Sequence, residues 1–129
     1  AAQEYTGQAV HAVGLTKQWT HYLAFDTLRR GRNSTVANFL AKAGPFSGRN
    51  ATLSGMAAVS NFGDNANWTG SILGQSNTYG FGRLAWDPTS SSAQIHADWT
   101  KQTFRGAEAD AVEVQPMVDG VVEIMQQSR

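Results

Sequence analysis

Two acidic side chains have neighbours that suit chemistry. Glu4 lies in Gln3-Glu4-Tyr5-Thr6-Gly7-Gln8, a carboxylate between amides, a tyrosine and a glycine, the setting in which a barrel strand ends and offers its reactive groups. Asp64 lies in the segment Ser60–Pro88, SNFGDNANWTGSILGQSNTYGFGRLAWDP, where glycines, amides and aromatics crowd together. There Trp68 and Tyr79 can stack on a pyranose ring while Asn61, Asn65 and Asn67 bind its hydroxyls. Cleaving a glycosidic bond with inversion takes a base that activates water and an acid roughly 6.5–9.5 Å away that protonates the leaving oxygen. One glutamate cannot do both. Asp64 reads as an Asx-type turn before it reads as a second reacting carboxylate. Trp68 serves either stacking or packing, and Tyr79, Phe81 and Trp86 fit a helix-to-barrel interface. Most of the other acids fall in helical stretches or tails.

Other chemistries lack their residues. His11, His21 and His96 have no HxxxH-like spacing and there is no cysteine, so no metal, thiolate or disulfide site is expected. Gly48–Gly55, GRNATLSG, lacks the lysine of a phosphate loop, and no serine stands in GxSxG, so no nucleotide cofactor and no serine nucleophile are expected either. Ten basic and ten acidic side chains cancel, which leaves no long-range field to gather nucleic acid or anionic lipid. No apolar run approaches the roughly 18 residues of a membrane-spanning helix. Arg29, Arg30 and Arg32 stand in a glycine-containing loop without interleaved aromatics and read as a solvated turn. The opening AAQEYTGQ lacks the basic and apolar regions of a signal peptide. The sequons at Asn33, Asn50 and Asn67 nevertheless lead us to expect an extracellular glycoprotein.

The elements that must position these residues divide the chain near residue 88. With 129 residues, the chain can bury roughly 68% of its unfolded surface as one domain. Residues 33–45 predict a helix with Val36, Phe39, Leu40 and Ala43 on one stripe, Asn33 or Ser34 as N-cap and Gly44-Pro45 as its end. Met56–Val59 is a continuous apolar run suited to a strand buried on both faces. A helix is predicted from about Thr69, despite the cost of Gly74, Gly80 and Gly82, about 1 kcal/mol each in a helix interior. Beyond Asp87-Pro88 the pattern turns helical. Ser91 and Gln94 fit a capping box ahead of Ile95, Trp99 and Phe104, and Pro116 is expected to open a helix with Val118, Val121, Val122 and Met125 on one side.

Laid end to end, these motifs closely resemble the family 67 α-glucuronidases. The resemblance runs through Gln3–Gln8, Val10-His11, Trp19, Phe25-Asp26-Thr27 and Gly31–Val36, then through Gly55–Asn61, Gly63–Gly70 and Asn77–Pro88. NTYGFGRLAWDP looks almost word for word like the fungal members. Ala93–Phe104 and Val121–Arg129 are similar to the first helices of the family's C-terminal helical region, and the match is loosest over 40–53 and 105–117. What the resemblance implies is an α/β fold: the last βα units of a (β/α)₈ TIM barrel over residues 1–88, then the start of the helical region over 89–129. It also implies an inverting hydrolase that removes (4-O-methyl)glucuronic acid, α-1,2-linked to xylose, from xylan-derived oligosaccharides, with Glu4 in the water-activating base pair.

In the family the acid and the second base carboxylate belong to earlier strands, and a whole barrel takes about 200 residues or more. The chain is therefore expected to be a fragment, inactive by itself and completed by the upstream barrel segment. A carboxylate displaced by about 1 Å can lose about a hundredfold in rate. The alternative, from another class, is a binding module that holds acidic xylooligosaccharides through Trp68 and its asparagines without turnover. A third is a structural half whose open edges pair with a partner chain.

Overall fold

The computed structural model describes residues 14–48, 55–57, 72–104 and 111–128. Five α-helices occur there: α1 (Leu15–Ala24), α2 (Val36–Ala41), α3 (Gln75–Trp86), α4 (Ser92–Phe104) and α5 (Ala111–Gln127), with a 3₁₀ turn at Gly44–Phe46. Among the described residues there is no strand, only isolated bridges such as Asp26 to Thr35. The helical half of the α/β expectation is thus seen, chiefly in α3, α4 and α5. Met56 and Ala57 lie in no regular element, and 58–59 are outside the described residues. Met56 meets its need for burial against helices, since it packs on the cluster of Leu23, Leu84 and Ile95.

That cluster takes one residue from each of α1, α3 and α4. Leu15, Trp19 and Leu23 recur at four-residue spacing along α1, the stripe of an amphipathic helix. Leu15 and Leu23 are buried, and Trp19 meets Phe81 of α3 edge to face at 5.4 Å between ring centres. Around the cluster Val36, Ala37, Leu40 and Tyr79 are partly buried. α5 packs on α4 and lays down Val118 and Met125, both fully buried.

Where helix boundaries differ from expectation, hydrogen bonds explain the difference. α2 begins at Val36 with Thr35 as its cap, the Thr35 hydroxyl accepting from the Asn38 amide at 3.1 Å. Ser34 is unavailable for that role because the preceding turn uses its hydroxyl, and Asn33 is left-handed at φ 69°, away from the extended backbone of an N-cap. The Asn33 amide donates to the Asp26 carboxylate at 2.7 Å, and the Ser34 hydroxyl donates to Gly31 and accepts from the Arg30 amide. α2 also stops earlier than Gly44-Pro45, at Lys42, which takes a left-handed conformation while the Ala43 amide returns to the Asn38 carbonyl. Phe39, expected on the core stripe, is mainly exposed and meets Phe46 edge to face at 5.5 Å.

In α3 the helix proper starts at Gln75, after a turn over 72–74, and Thr69 lies outside the described residues. Ser91 does cap α4, its hydroxyl accepting from the Gln94 amide at 3.2 Å. Pro116 does not open α5, which already runs from Ala111; the proline is carried inside the helix. It removes one backbone donor there. The apolar stripe continues past it through Val118, Val121, Val122 and Met125, so packing on α4 outweighs the loss.

The three α3 glycines divide by environment. Gly74 is the N-cap. At Gly80 an added methyl group would overlap the Thr16 side chain, so this glycine lets α1 and α3 approach; at Gly82 the same group would meet open space. Gly80→Ala should therefore cost about 1–3 kcal/mol of stability through overpacking. Gly82→Ala should stabilise by up to about 1 kcal/mol through helix propensity. Denaturant midpoints of the two variants, moving in opposite directions, would check the assignment.

Candidate functional site

Glu4, Asn61, Asp64 and Trp68, the residues singled out for chemistry, all lie outside the described residues, as do Asn65 and Asn67. What the structure displays is the chain that follows Glu4 from Gly14 and the chain that follows Trp68 from Ile72. Gly14, ten residues after Glu4, begins the described chain and is the N-cap of α1. It is held closely, because a Cβ there would stand 2.6 Å from the Ser128 carbonyl oxygen at the end of α5. One turn on, the Lys17 ammonium donates to the Gln126 carbonyl at 2.7 Å. A cation thus meets the negative end of α5's backbone dipole.

Next to this contact is a buried polar group that spacing analysis passed over. Ser92, His96 and Thr100 stand at i, i+4 and i+8 on α4, and Gln126 reaches the first two from α5. The Gln126 side-chain amide donates to the Ser92 hydroxyl at 3.0 Å and to Nδ1 of His96 at 3.2 Å, and the Ser92 hydroxyl donates back at 3.3 Å. Accepting at Nδ1 puts the imidazole proton on Nε2. That nitrogen is buried and has no partner among the described residues. The Thr100 hydroxyl donates to the His96 carbonyl at 2.8 Å. The signal lay in the sequence as a polar i, i+4, i+8 stripe one residue from Ile95 and Trp99, the apolar one. A fully buried imidazole cannot exchange protons with a substrate, so this group joins helices and does no acid–base chemistry.

A second polar arrangement is exposed. The Tyr79 hydroxyl accepts from the Gln102 amide at 3.0 Å, and the Arg83 guanidinium lies 5.9 Å from the Tyr79 ring centre and 3.7 Å from the Asp98 carboxylate. Trp86, one turn on, is 92% exposed. Asp87 closes α3. Its carboxylate accepts from the Thr89 hydroxyl at 2.6 Å, the Thr89 amide at 2.9 Å and the Ser90 hydroxyl at 2.9 Å, and these bonds, the Thr89 hydroxyl first, hold its pKa below the ordinary carboxylate value. Of the sequon asparagines, Asn33 is exposed in the α1–α2 turn, and Asn50 and Asn67 lie outside the described residues. The three arginines of that turn are exposed, with Arg30 over the Phe46 ring at 5.1 Å.

Among the described residues no three His, Cys, Asp or Glu side chains are grouped to hold a metal, and no helix is long and apolar enough to cross a membrane. Burial pushes the His96 pKa down from 6.5 to about 4. The unfolded chain therefore takes up this proton near 6.5, whereas the folded chain resists until about 4. Stability should be full above about pH 6.5 and fall progressively towards 4. Urea midpoints across this range, compared with His96→Asn, should show a shallower fall in the variant.

Comparison with known proteins gives a consistent result. Residues 1–68 match the glycosyl hydrolase family 67 middle domain, and residues 69–129 match the family 67 C-terminus. The chain is 44% identical over 104 residues to alpha-glucuronidase A of Emericella nidulans, an alignment covering 79% of this chain and 12% of that protein. It is 47% identical over 105 residues to alpha-glucuronidase A of Aspergillus tubingensis, covering 80% and 12%. The probable alpha-glucuronidase A of Aspergillus niger is 46% identical over 103 residues, covering 80% and 12%. The chain thus spans about 12% of the length of the curated relatives it matches.

Proposed function

The chain belongs to glycosyl hydrolase family 67, and from that premise we propose that it is part of an extracellular α-glucuronidase acting on glucuronoxylan-derived oligosaccharides. The observation that carries this reading is the end-to-end match to two adjoining family 67 regions, together with 44% and 47% identity to proteins named alpha-glucuronidase A. In the proposed reaction the α-1,2 bond of (4-O-methyl)glucuronic acid to xylose is cleaved with inversion. A water oxygen attacks the anomeric carbon, Glu4 draws off the water proton, and the glycosidic oxygen leaves with a proton from a separate acid. Asn61, Asp64 and Trp68 contact the sugar, by amide and carboxylate hydrogen bonds and by stacking.

The proposal includes a (β/α)₈ barrel whose last units fall in residues 1–88, with the acid supplied by a segment outside residues 1–129. Chemistry supports that second element, because inversion takes two carboxyl functions held apart and a lone base gives no turnover. Helices on the two sides of residue 88 pack together: Arg83 pairs with Asp98, and Leu84 packs with Ile95.

The test is to graft residues 1–129 into the Aspergillus tubingensis enzyme in place of the matching segment and follow glucuronic acid release. The graft should be active, Glu4→Gln should lower kcat on the order of 10²–10⁴-fold, and the isolated chain should release nothing. Equal release by the graft and by its Glu4→Gln variant would remove Glu4 from the mechanism. Oligosaccharide binding by the isolated chain, with an inactive graft, would favour the non-catalytic binding module.

A further inference from the structure

The sequon Asn33-Ser34-Thr35 lies in the turn that joins α1 to α2, and the turn pins it at several points. The Asn33 amide donates to the Asp26 carboxylate at 2.7 Å, and the Asn33 carbonyl accepts from the Asn38 side chain at 2.9 Å. The Ser34 carbonyl accepts from the Thr27 amide at 3.0 Å and from the Thr27 hydroxyl at 2.8 Å. Ser34 is fully buried, and the Thr35 hydroxyl is taken up as the cap of α2. One group stays out of this arrangement. Asn33 is exposed, and its carboxamide has no hydrogen-bond partner among the described residues. Gly44 leaves room beside that group, since a Cβ there would stand 3.5 Å from Nδ2 of Asn33.

We propose that Asn33 is an N-glycan acceptor, filled while the chain is still unfolded and closed to modification once α2 is capped. The inference rests on the extracellular reading proposed above and is independent of the residues proposed for hydrolysis. In the transfer, Nδ2 attacks the anomeric carbon of an oligosaccharide carried on a polyprenyl diphosphate. The bond from that carbon to the phosphate oxygen breaks, the diphosphate leaves with the electron pair, and one proton passes from Nδ2 to the diphosphate. The secretory route supplies donor and transferase, while the chain supplies the carboxamide and, two residues on, the hydroxyl by which a sequon is recognised. Folding takes that hydroxyl away. Once it accepts from the Asn38 amide it is not free for a transferase, and a tripeptide tied to Asp26, Thr27 and Asn38 cannot be drawn into a foreign site without breaking those bonds. Packing sets the order of events. α2 has six residues, too few to persist alone. Its Val36, Ala37 and Leu40 pack against Leu23, Leu84 and Ile95, the last two of which lie far downstream, so the cap closes after the sequon has been exposed during synthesis. In the folded chain the sugar is accommodated, because no described contact depends on the carboxamide that carries it.

Translation of the 129-residue chain behind a secretion signal, in the presence of endoplasmic-reticulum microsomes, tests this, with Asn50→Gln and Asn67→Gln in place so that Asn33 alone can accept. The chain should gain one glycan, removable by peptide N-glycosidase and mapped to Asn33 by mass spectrometry, and Asn33→Gln should gain none. Thr35→Asn keeps a capping side chain but breaks the sequon, so it should lose the glycan and hold the urea midpoint of the unmodified parent, whereas Thr35→Ala should lose the glycan and lower that midpoint. Offered to the transferase after folding, the unmodified chain should react at least about tenfold more slowly than a peptide of residues 25–45, because the turn must first open. A bare Asn33 in the translocated chain would overturn the proposal and leave Asn33 and Thr35 as turn and cap residues only. Equal rates for folded chain and peptide would overturn the order of events. In the graft secreted from an Aspergillus host, a glycan on Asn33 without glucuronic acid release would count against the hydrolase reading alone, and release with Asn33 bare would overturn the acceptor assignment alone. Recovery of the natural protein inside its producing cells, with microsomal transfer to Asn33 intact, would count against the extracellular reading alone.

Discussion

The first turn of α1 is where this structure tolerates least change. Within Gly14–Lys17 two other elements, α3 and α5, come as close as atoms allow. The end of α5 lies against Gly14, α3 approaches Thr16 through Gly80, and Lys17 reaches the last carbonyls of α5. A side chain on either glycine would push a helix away, and cores packed at crystal-like density transmit such a shift instead of absorbing it. The separation of α1 from α3 in turn sets how Leu23 and Leu84 meet Ile95. The segment bearing Glu4 enters the scaffold at this turn, ten residues upstream of Gly14. In the proposed enzyme, rigidity here is a condition for holding a base where water is attacked.

Polar groups take part in the same junction at some cost. Ser92, His96 and Gln126 tie α4 to α5 by bonds of 3.0–3.3 Å, and Nε2 of His96 and Oγ1 of Thr16 are buried without partners among the described residues. Each unsatisfied buried group costs about 1–3 kcal/mol. An apolar pair of similar shape would avoid that cost but would not specify register: the Gln126 amide fits only where a hydroxyl and a ring nitrogen present themselves together, which limits how α5 can slide along α4. The close approach of α1 then adds a third helix to a contact whose alignment is already set.

How far the elements were legible depends on whether their signals were local. The Ser91 cap of α4 and the stripe of Val118, Val121, Val122 and Met125 were readable because both arise within a few residues of one helix. The cap of α2 was misplaced by one or two residues because Asn33, its amide bonded to Asp26, is left-handed, and the Ser34 hydroxyl is spent inside the turn. Pro116 looked like a beginning because its ring suits a first turn, yet five residues before it are helical. The apolar run at Met56 suggested a strand; Met56 and Ala57 lie in no regular element, Met56 packs against helices, and 58–59 lie outside the described residues. The candidate site was legible by resemblance and residue type alone, since Glu4, Asn61, Asp64 and Trp68 lie outside the described residues.

The amino-acid order by itself determined the family, the helical stripes of α4 and α5, and the residue types on which glycoside chemistry would draw. These are properties of neighbours along the chain or at helical spacing, and they survive without knowledge of what lies opposite. Only the tertiary structure decided which tryptophan is buried and which is presented: Trp99 goes into the core beside Phe104, while Trp86, thirteen residues earlier, stands in solvent. It likewise decided that His96 is desolvated, that Gly80 is a contact while Gly82 is open, and that Gln126 is a clamp. Burial and close approach depend on surfaces brought together from distant parts of the chain, and no window of sequence contains both sides of such a contact.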